Sequence, residues 1–528
     1  MKTMSIGSPF LGINNRLPDF ALHISTRALQ GDYLADAVDV DVDNAGRLRR
    51  RQTYTPLHAL PGAHSLIMTG ADAGYLVVGS VLYAVAPSTA VMELVAVLTS
   101  GAPMSYVLEG DTVYYSNGTD SGRVVGTTRY PLGLPTPDSP AISAIGGGLL
   151  DGWYQVGVSY VNATTGEEGG VSASSNMELT SGGIRVTLPA ATAGATHVNV
   201  YLSDANGEVP RLAATIAVGT ALVDLTALAT GRETPGRFEY PLPAGRLFMA
   251  NGRLCSHAGS TVYVGLPYRH GYYLRAEGYV PFGADVSNAV SCQFGTYVVA
   301  DKTYWIPGDL GEVKDTIVTV LPYGGVPGTT FEFPDKSKVG WFGAKGVVFG
   351  APNGEVEAVM ADNIDLTPPA SGFSAVLTSG GYRRVVSCGW CVNLESKATT
   401  RYDWTLNSAS GGYAIDSDGI CQTGIMGAVG WRVDFGQINF GTDELKYMPA
   451  AYLAGECDER WLLTVGLPSG VEYEYPSRSY DATLAVQRVD VGKGLRSSWF
   501  ALGLTNETGA DFTLAKVSFA PANAQRRI

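Results

Sequence analysis

The chain has 528 residues, a formal net charge of −13, 66 glycines, 28 tyrosines and 16% charged residues. That balance argues against a nucleic-acid reader held by a basic patch, although a surface that repels phosphate still lets DNA pass without sticking. No stretch approaches the roughly 18 apolar residues of a membrane-spanning helix, and six cysteines are too few for a disulfide scaffold.

Length allows about three domains. Abundant Gly, Tyr, Thr and Val without a long Ala/Leu/Glu/Lys tract predict an all-β chain of short strands joined by turns. Residues 1–34 read as an extended arm, broken by Gly12, Asn14, Asn15 and Pro18. They hold no apolar core of about seven residues, so no signal peptide is expected.

The stretch Ala35 to Tyr54 is the most legible. Val38, Val40 and Val42 alternate with Asp39, Asp41 and Asp43, which predicts one strand with a buried and a wet face. Asn44-Ala45-Gly46 supplies a tight turn, and Arg47, Leu48, Arg49, Arg50 and Arg51 run back antiparallel. Guanidinium groups then stand opposite carboxylates, a solvated hairpin face available to set register with a neighbouring subunit.

A strand–turn–strand theme follows. It appears at Tyr75–Val78 with Val81–Tyr83, at Tyr106–Leu108 with Thr112–Tyr114, at Thr261–Tyr263 after His257-Ala258-Gly259, at Tyr297–Val299 with Thr303–Trp305, and at Val347–Phe349 with Glu355–Glu357. Tyr83, Tyr114, Tyr263 and Tyr304 recur at one place in the theme, with a spacing of roughly 30 to 50 residues suited to propeller blades. Five units are expected, with a sixth around Tyr382 to Val392, so residues 35–136 and 229–392 form a β-propeller-like core. A propeller closes by pairing an N-terminal strand with its last blade, and the 35–54 hairpin is the candidate.

Residues 137–228 interrupt the theme. They carry eight acidic residues against two arginines, a net of −6. Strands at Trp153–Val161, Ile184–Leu188 and His197–Tyr201, with a turn at Gly166-Glu167-Glu168-Gly169, read as an inserted fibronectin type III/Ig-like sandwich. Residues 393–528 form a C-terminal β-rich domain, a β-sandwich marked by Trp404, Trp431, Trp461 and Trp499 in alternating stretches.

Chemistry is not advertised. The Asp39–Asp43 run lacks the Gly and Glu that a calcium loop needs at its sixth and twelfth positions, where Asn44 and Arg50 stand. Cys388-Gly389-Trp390-Cys391 has no second close pair, and buried small hydrophobes are the better reading than metal or redox ligands. Cys255-Ser256-His257 holds a thiol and a base in sequence, but facing opposite ways along a strand no catalytic pair is expected. Glu355 and Glu357, ~7 Å apart by strand geometry, suit a glycosidase spacing but read as an exposed edge. No Gly-rich phosphate loop, nucleophile elbow or zinc helix is present. The expectation is a protein without catalytic activity, cofactor or metal.

Phe10-Leu11-Gly12-Ile13-Asn14-Asn15 with Leu17-Pro18, Leu34–Asp41 running into Gly46–Arg51, Leu266-Pro267-Tyr268 before Gly278–Phe282, and the closing segment from Leu504-Thr505-Asn506 to Arg527-Ile528 resemble tailed-bacteriophage virion proteins. With a propeller-like core, the resemblance implies similarity to the tail nozzle proteins of short-tailed phages, which assemble as six-fold rings below the portal and adaptor. It implies a virion component assembled in the host cytoplasm and part of the DNA ejection conduit. The implied partners are further copies in a hexameric homo-oligomer, portal or adaptor and tail fibre or spike proteins, and passing DNA held without sequence specificity. Asp39, Asp41, Asp43, Arg47, Arg49, Arg50 and Arg51 are then the candidates for subunit contacts. The alternative is a receptor-binding or fibre-attachment tail protein that grips host glycan.

Overall fold

A computed structural model describes residues 3–524 apart from 8, 24–30, 235–237, 313–315, 405 and 426. The end of the closing segment, residues 525–528, lies outside the described residues. The chain is all-β: among the described residues the single helix is one 3-10 turn, Asp19–Ala21. None of the described helical structure is long and apolar enough to cross a membrane. Chain contacts divide it into two compact units, one of Met1–Val78, Val85–Val91 and Val320–Ile528, the other of Gly79–Ala84 and Met92–Thr319.

In the second unit the strand–turn–strand theme forms antiparallel meanders of the kind used as propeller blades. Ser105–Glu109, Thr112–Ser116, Ser121–Val125 and Thr128–Tyr130 pair in sequence order, with Val107 opposite Tyr114 and Tyr114 opposite Arg123. Arg246–Ala250, Arg253–Ala258 and Thr261–Leu266 repeat the meander, as do Asn288–Cys292, Gly295–Val299 and Thr303–Pro307. Neighbouring sheets share apolar cores. Val107, Tyr114 and Leu132 pack with Leu247 and Leu254, and Cys255 and Val264 pack with Val298 and Ile306.

The inserted segment is a two-sheet sandwich. Ile142–Leu149, Gly182–Thr187 and Leu222–Leu225 make one sheet; Glu167–Glu168, Gly152–Asn162, His197–Leu202 and Arg211–Ala217 make the other, with Ser175–Leu179 paired to its longest strand. Tyr154, Val156 and Val158 on one sheet and Ile184 and Val186 on the other are completely buried between them. This is the alternation of inward apolar and outward polar residues that a sandwich requires.

The first unit holds blade-like sheets and the C-terminal sandwich. Phe331–Glu332, Val339–Gly343, Gly346–Gly350 and Val356–Ala358 form one meander; Ser374–Ser379, Tyr382–Ser387, Trp390–Asn393 and Thr399–Arg401 form the next. A further sheet, Ser408–Ser410, Tyr413–Ile415 and Gly419–Ile425, is completed by Thr53–Ala59. Two sequence expectations are corrected here. A blade-like sheet lies beyond residue 393, because its short Ser-, Ala- and Gly-rich strands show little apolar alternation. The N-terminal strand that joins it is Thr53–Ala59, and the charged hairpin goes elsewhere.

That hairpin belongs to the C-terminal sandwich. Val40–Val42 pairs with Leu48–Arg50, which pairs with Phe512–Asn523, followed by Lys446–Cys457 and Asp481–Asp490. The facing sheet runs Thr399–Arg401, Asp36–Val38, Arg432–Ile438, Phe500–Asn506, Trp461–Gly466 and Glu472–Pro476. Trp461–Gly466 alternates buried and half-buried residues as its sequence dictates. Phe512 packs on Trp431 with ring centroids 4.0 Å apart and on Trp461 at 5.4 Å. The expected extended arm also enters this unit: Met4–Ile6 pairs with Phe512–Asn523, and Phe10–Ile13 pairs with Asp32–Leu34 and Thr399–Arg401.

Candidate functional site

Asp39 divides the predicted valine–aspartate strand. Its φ is +58°, a left-handed conformation that Asp tolerates better than a β-branched residue does. The chain therefore leaves one sheet after Val38 and enters the other at Val40. Both sides of the break are held. The Asp39 N–H donates to the Arg401 carbonyl at 2.8 Å, and the Arg51 N–H donates to the Asp39 carbonyl at 3.2 Å. The Asp39 carboxylate accepts from Arg51 Nε and from the Asp403 N–H at 3.0 Å. The Arg51 guanidinium lies 5.4 Å from the Tyr402 ring centroid and 5.5 Å from that of Trp404, a cation over aromatic faces away from water.

Two residues further on, Asp41 is enclosed. Arg384 Nε stands 3.1 Å from its Oδ2, with side chains 2% and 1% exposed. Tyr382 donates its hydroxyl to Oδ2 at 2.8 Å, Tyr402 donates to Oδ1, and the Cys391 thiol points to Oδ1 at 3.5 Å. Arg384 Nε also donates to the Tyr402 hydroxyl at 2.9 Å. Burial, followed by the Asp41 charge, pushes the Tyr382 phenol and the Cys391 thiol well above their ordinary ranges. Both groups stay protonated, as donors to a carboxylate must.

Asp43 closes the turn. Its Oδ1 accepts the Ala45 and Arg47 N–H groups at 2.9 Å each, and its Oδ2 meets Arg47 at 2.9 Å and Arg49 at 3.0 Å. Gly46, at φ +73°, completes the turn where a Cβ would fall 2.1 Å from Pro9 Cβ. Arg50 reaches across to Asp511 at 3.4 Å. Of the seven charged residues singled out in sequence, Asp39, Asp41, Asp43, Arg50 and Arg51 are buried within this chain, and Arg47 and Arg49 keep side-chain exposures of 40% and 30%. The solvated face is corrected: Asp41 lies opposite Arg49 in register, yet its cation is Arg384. The physical reason is the break at Asp39, after which Asp41 faces Tyr382, Arg384 and Tyr402 on strands far away in sequence.

The second unit holds a charge cluster that the sequence hid. Gly166–Gly169, expected as a turn, contains the strand Glu167–Glu168 on the edge of the inserted sandwich. Glu168 is 7% exposed and accepts from Ser159, Tyr201, Asn199 and Arg232. Burial alone would raise its pKa, and these four bonds outweigh it and hold the carboxyl below the ordinary value. Glu167 pairs with Arg123 and accepts the Tyr272 hydroxyl at 2.7 Å, while Arg269 donates to the Glu168 carbonyl at 2.7 Å. Arg123, Arg269 and Tyr272 stand on blade-like strands, so the insert is pinned to its own unit by this edge. Two adjacent glutamates between glycines, followed by a Val-Ser-Ala-Ser stretch, give no sign of burial.

The other residues singled out in sequence for chemistry are placed as follows. Cys255 and His257 are two residues apart and share a face, which corrects the opposite-face expectation. Burial holds the thiol up at about 12. Burial, and then the nearby Arg246 charge, hold the imidazole down at about 4. Cys388 sits at φ +52° in a turn with its thiol pushed up to about 11 by burial. All six cysteines are free thiols. Among the described residues no group of three or more His, Cys, Asp or Glu could hold a metal ion. Glu357 pairs with Lys397.

No family model matches the chain, and no curated protein matches it in sequence. Solved structures that align with it include YCF48 bound to D1 peptide, at 11% identity over 76% of this chain and 100% of that one, with a TM-score of 0.29. BamB from Moraxella catarrhalis aligns at 12% identity over 80% and 98% of the two chains, with a TM-score of 0.26. BBS1N in complex with ARL6DN aligns at 12% identity over 71% and 97%, also at 0.26. Scores of this size carry no weight for fold or function, and the fold rests on the sheets themselves.

Proposed function

We propose that this protein is a structural component of a bacteriophage tail, a nozzle-like ring that forms part of the conduit for DNA. The observation that supports this reading best is the way its two phage-like end segments are used. Leu34–Asp41 and Gly46–Arg51 are woven into one sandwich with the Phe500–Asn506 and Phe512–Asn523 strands, and their charges are struts inside it. Such a body joins N-terminal strands to C-terminal ones in one sandwich, which suits a mechanical part. The net charge of −13 suits a surface along which DNA slides. Arg47 and Arg49, the two hairpin arginines left at the surface, are the remaining hairpin candidates for a contact between copies.

Imaging the purified oligomer tests the reading. Six-fold rings are the expected result. A trimer would overturn it in favour of a receptor-binding or fibre-attachment protein. Charge reversal of Arg47 and Arg49 together is expected to weaken ring formation, and unchanged assembly removes the hairpin from the interface.

A further inference from the structure

In the C-terminal sandwich the two sheets bury their inner faces against each other. Leu514, Val517 and Val489 on one and Val433, Leu463 and Leu502 on the other belong to a single core. Strand alternation turns the residues between them outward, in opposite directions. The two outer faces differ in shape and in charge.

On the sheet that holds the charged hairpin, Leu484 and Val486 are 69% and 68% exposed on the edge strand Asp481–Asp490. No charged residue stands between Asp481 and Arg488, and an exposed apolar edge of this kind is where another chain packs. Val486 lies opposite Ala454, and Ala454 lies opposite Lys516, so an exposed cation shares the face two strands away. Lys516 makes no ion pair among the described residues. Arg49 stands on this face too, opposite Thr513.

On the facing sheet one row runs Asp434, Gly503, Thr464, Glu474, and the next holds Ala501, Gly466 and Glu472. With glycine and alanine at its floor, this face sinks into a trough of about 250 Å³, walled by Glu472 and Glu474 on the edge strand and by Arg432 and Asp434 opposite. Arg432 is engaged by Asp36 at 3.1 Å. The two glutamates are exposed and make no ion pair among the described residues.

We infer that the ring forms by seating Leu484, Val486 and Lys516 of one copy in this trough of the next, with Lys516 against Glu472 and Glu474. The inference rests on the ring reading and names the two surfaces that meet. Apolar knobs fill a floor that lacks side chains. A cation unpaired in one copy meets carboxylates unpaired in the next, which fixes register and rejects a meeting of like faces. Because the two surfaces lie on opposite sides of one sandwich, the contact is heterologous and repeats head to tail, as a ring requires and a two-fold dimer does not.

Sedimentation and particle imaging of the full chain test it by charge reversal. Lys516→Glu alone, and Glu472→Lys with Glu474→Lys, should each weaken association by at least about tenfold. Mixing these two variants should restore rings in which they alternate, since each then meets a face of opposite charge; that result separates a lost contact from a lost fold. Gly503→Val should weaken association by filling the trough, while a Cβ at Gly503 comes no closer than 3.5 Å to its neighbours, an ordinary contact that the fold accepts. Six-fold rings that none of these variants weakens overturn the inference and leave the ring reading standing. Variants that weaken singly and are not restored by mixing also overturn it. A trimer that responds to the reversals and to their mixing supports the contact and overturns the ring. A full chain that stays monomeric overturns both.

Discussion

Asp41 and Arg384 meet at 3.1 Å with their side chains 1% and 2% exposed. They lie far apart in sequence, and three further donors, Tyr382, Tyr402 and Cys391, fill the space around the carboxylate. A buried ion pair is worth little over an apolar replacement, but removing one member leaves a charge stranded away from water. Asp41→Ala and Arg384→Ala should each cost about 3–5 kcal/mol by that measure. The Asp41→Ala, Arg384→Ala double variant should lose less than the sum. Chemical denaturation of the four proteins checks this, and simple additivity would show that the pair does not act as a unit.

Asp39 carries the turn between two sheets at φ +58°. Asn visits this conformation readily, Gly does so without strain, and a β-branched residue resists it. Asp39→Asn should therefore be mildest, and Asp39→Val the most damaging, at more than ~2 kcal/mol. If Val were tolerated as well as Asn, measured by the denaturation midpoint, the break would not be what the position requires.

Glu168 links protonation to the stability of the second unit. Its carboxyl titrates below its ordinary value in the folded chain. The unfolded chain therefore takes up the proton first as pH falls. The contribution is fully present above the unfolded value of about 4.3 and is lost as pH drops through the lower folded value. Glu168→Gln should flatten the acid limb of a stability profile. A profile as steep as that of the unchanged protein would argue that other carboxylates set it.

His257 gives a second window with the same sign. Burial, and then Arg246, hold its imidazole at about 4, below an unfolded value of about 6.5. Between these values the unfolded state binds the extra proton, so stability falls as pH drops from about 6.5 to 4 and is level above. The full span amounts to about 3 kcal/mol at 1.36 kcal/mol per unit. Replacing His257 with Gln should remove this slope near neutrality while leaving the Glu168 limb in place, as read by thermal melts across pH.

The Arg51 guanidinium serves the Asp39 carboxylate and the Tyr402 and Trp404 rings at once. Lys retains the charge but not the plane or the fork of donors. Arg51→Lys should destabilise the first unit by about 1–2 kcal/mol, the scale of a desolvated cation–π contact with a lost charge-assisted bond. A melt indistinguishable from that of the parent would count against this geometry.

Much of this fold is legible residue by residue. Val107–Tyr114 and Tyr297–Trp305 alternate, and the glycines between such runs mark turns, so strand, turn and strand follow from local chemistry. Trp461–Gly466 announces a half-buried strand in the same way. Ser408–Ser410 and Tyr413–Ile415 do not, because strands of three residues with small side chains carry too little apolar signal to separate them from loop. Glu167-Glu168 misleads for a different reason: adjacent carboxylates look solvent-facing, and only Arg123, Arg232 and Tyr272, far away in sequence, make their burial affordable.

In the charged hairpin, the valine–aspartate period, the turn at Gly46 and the return of the arginines follow from local chemistry. Those are set by pleat geometry and by the φ each residue tolerates. Long-range strand pairing sets the break at Asp39 and gives Asp41 to Arg384 and Arg50 to Asp511. A charge in water has many near-equivalent partners. Once buried, it is stable only beside the one opposite charge and the few donors that the long-range pairing of strands brings to it.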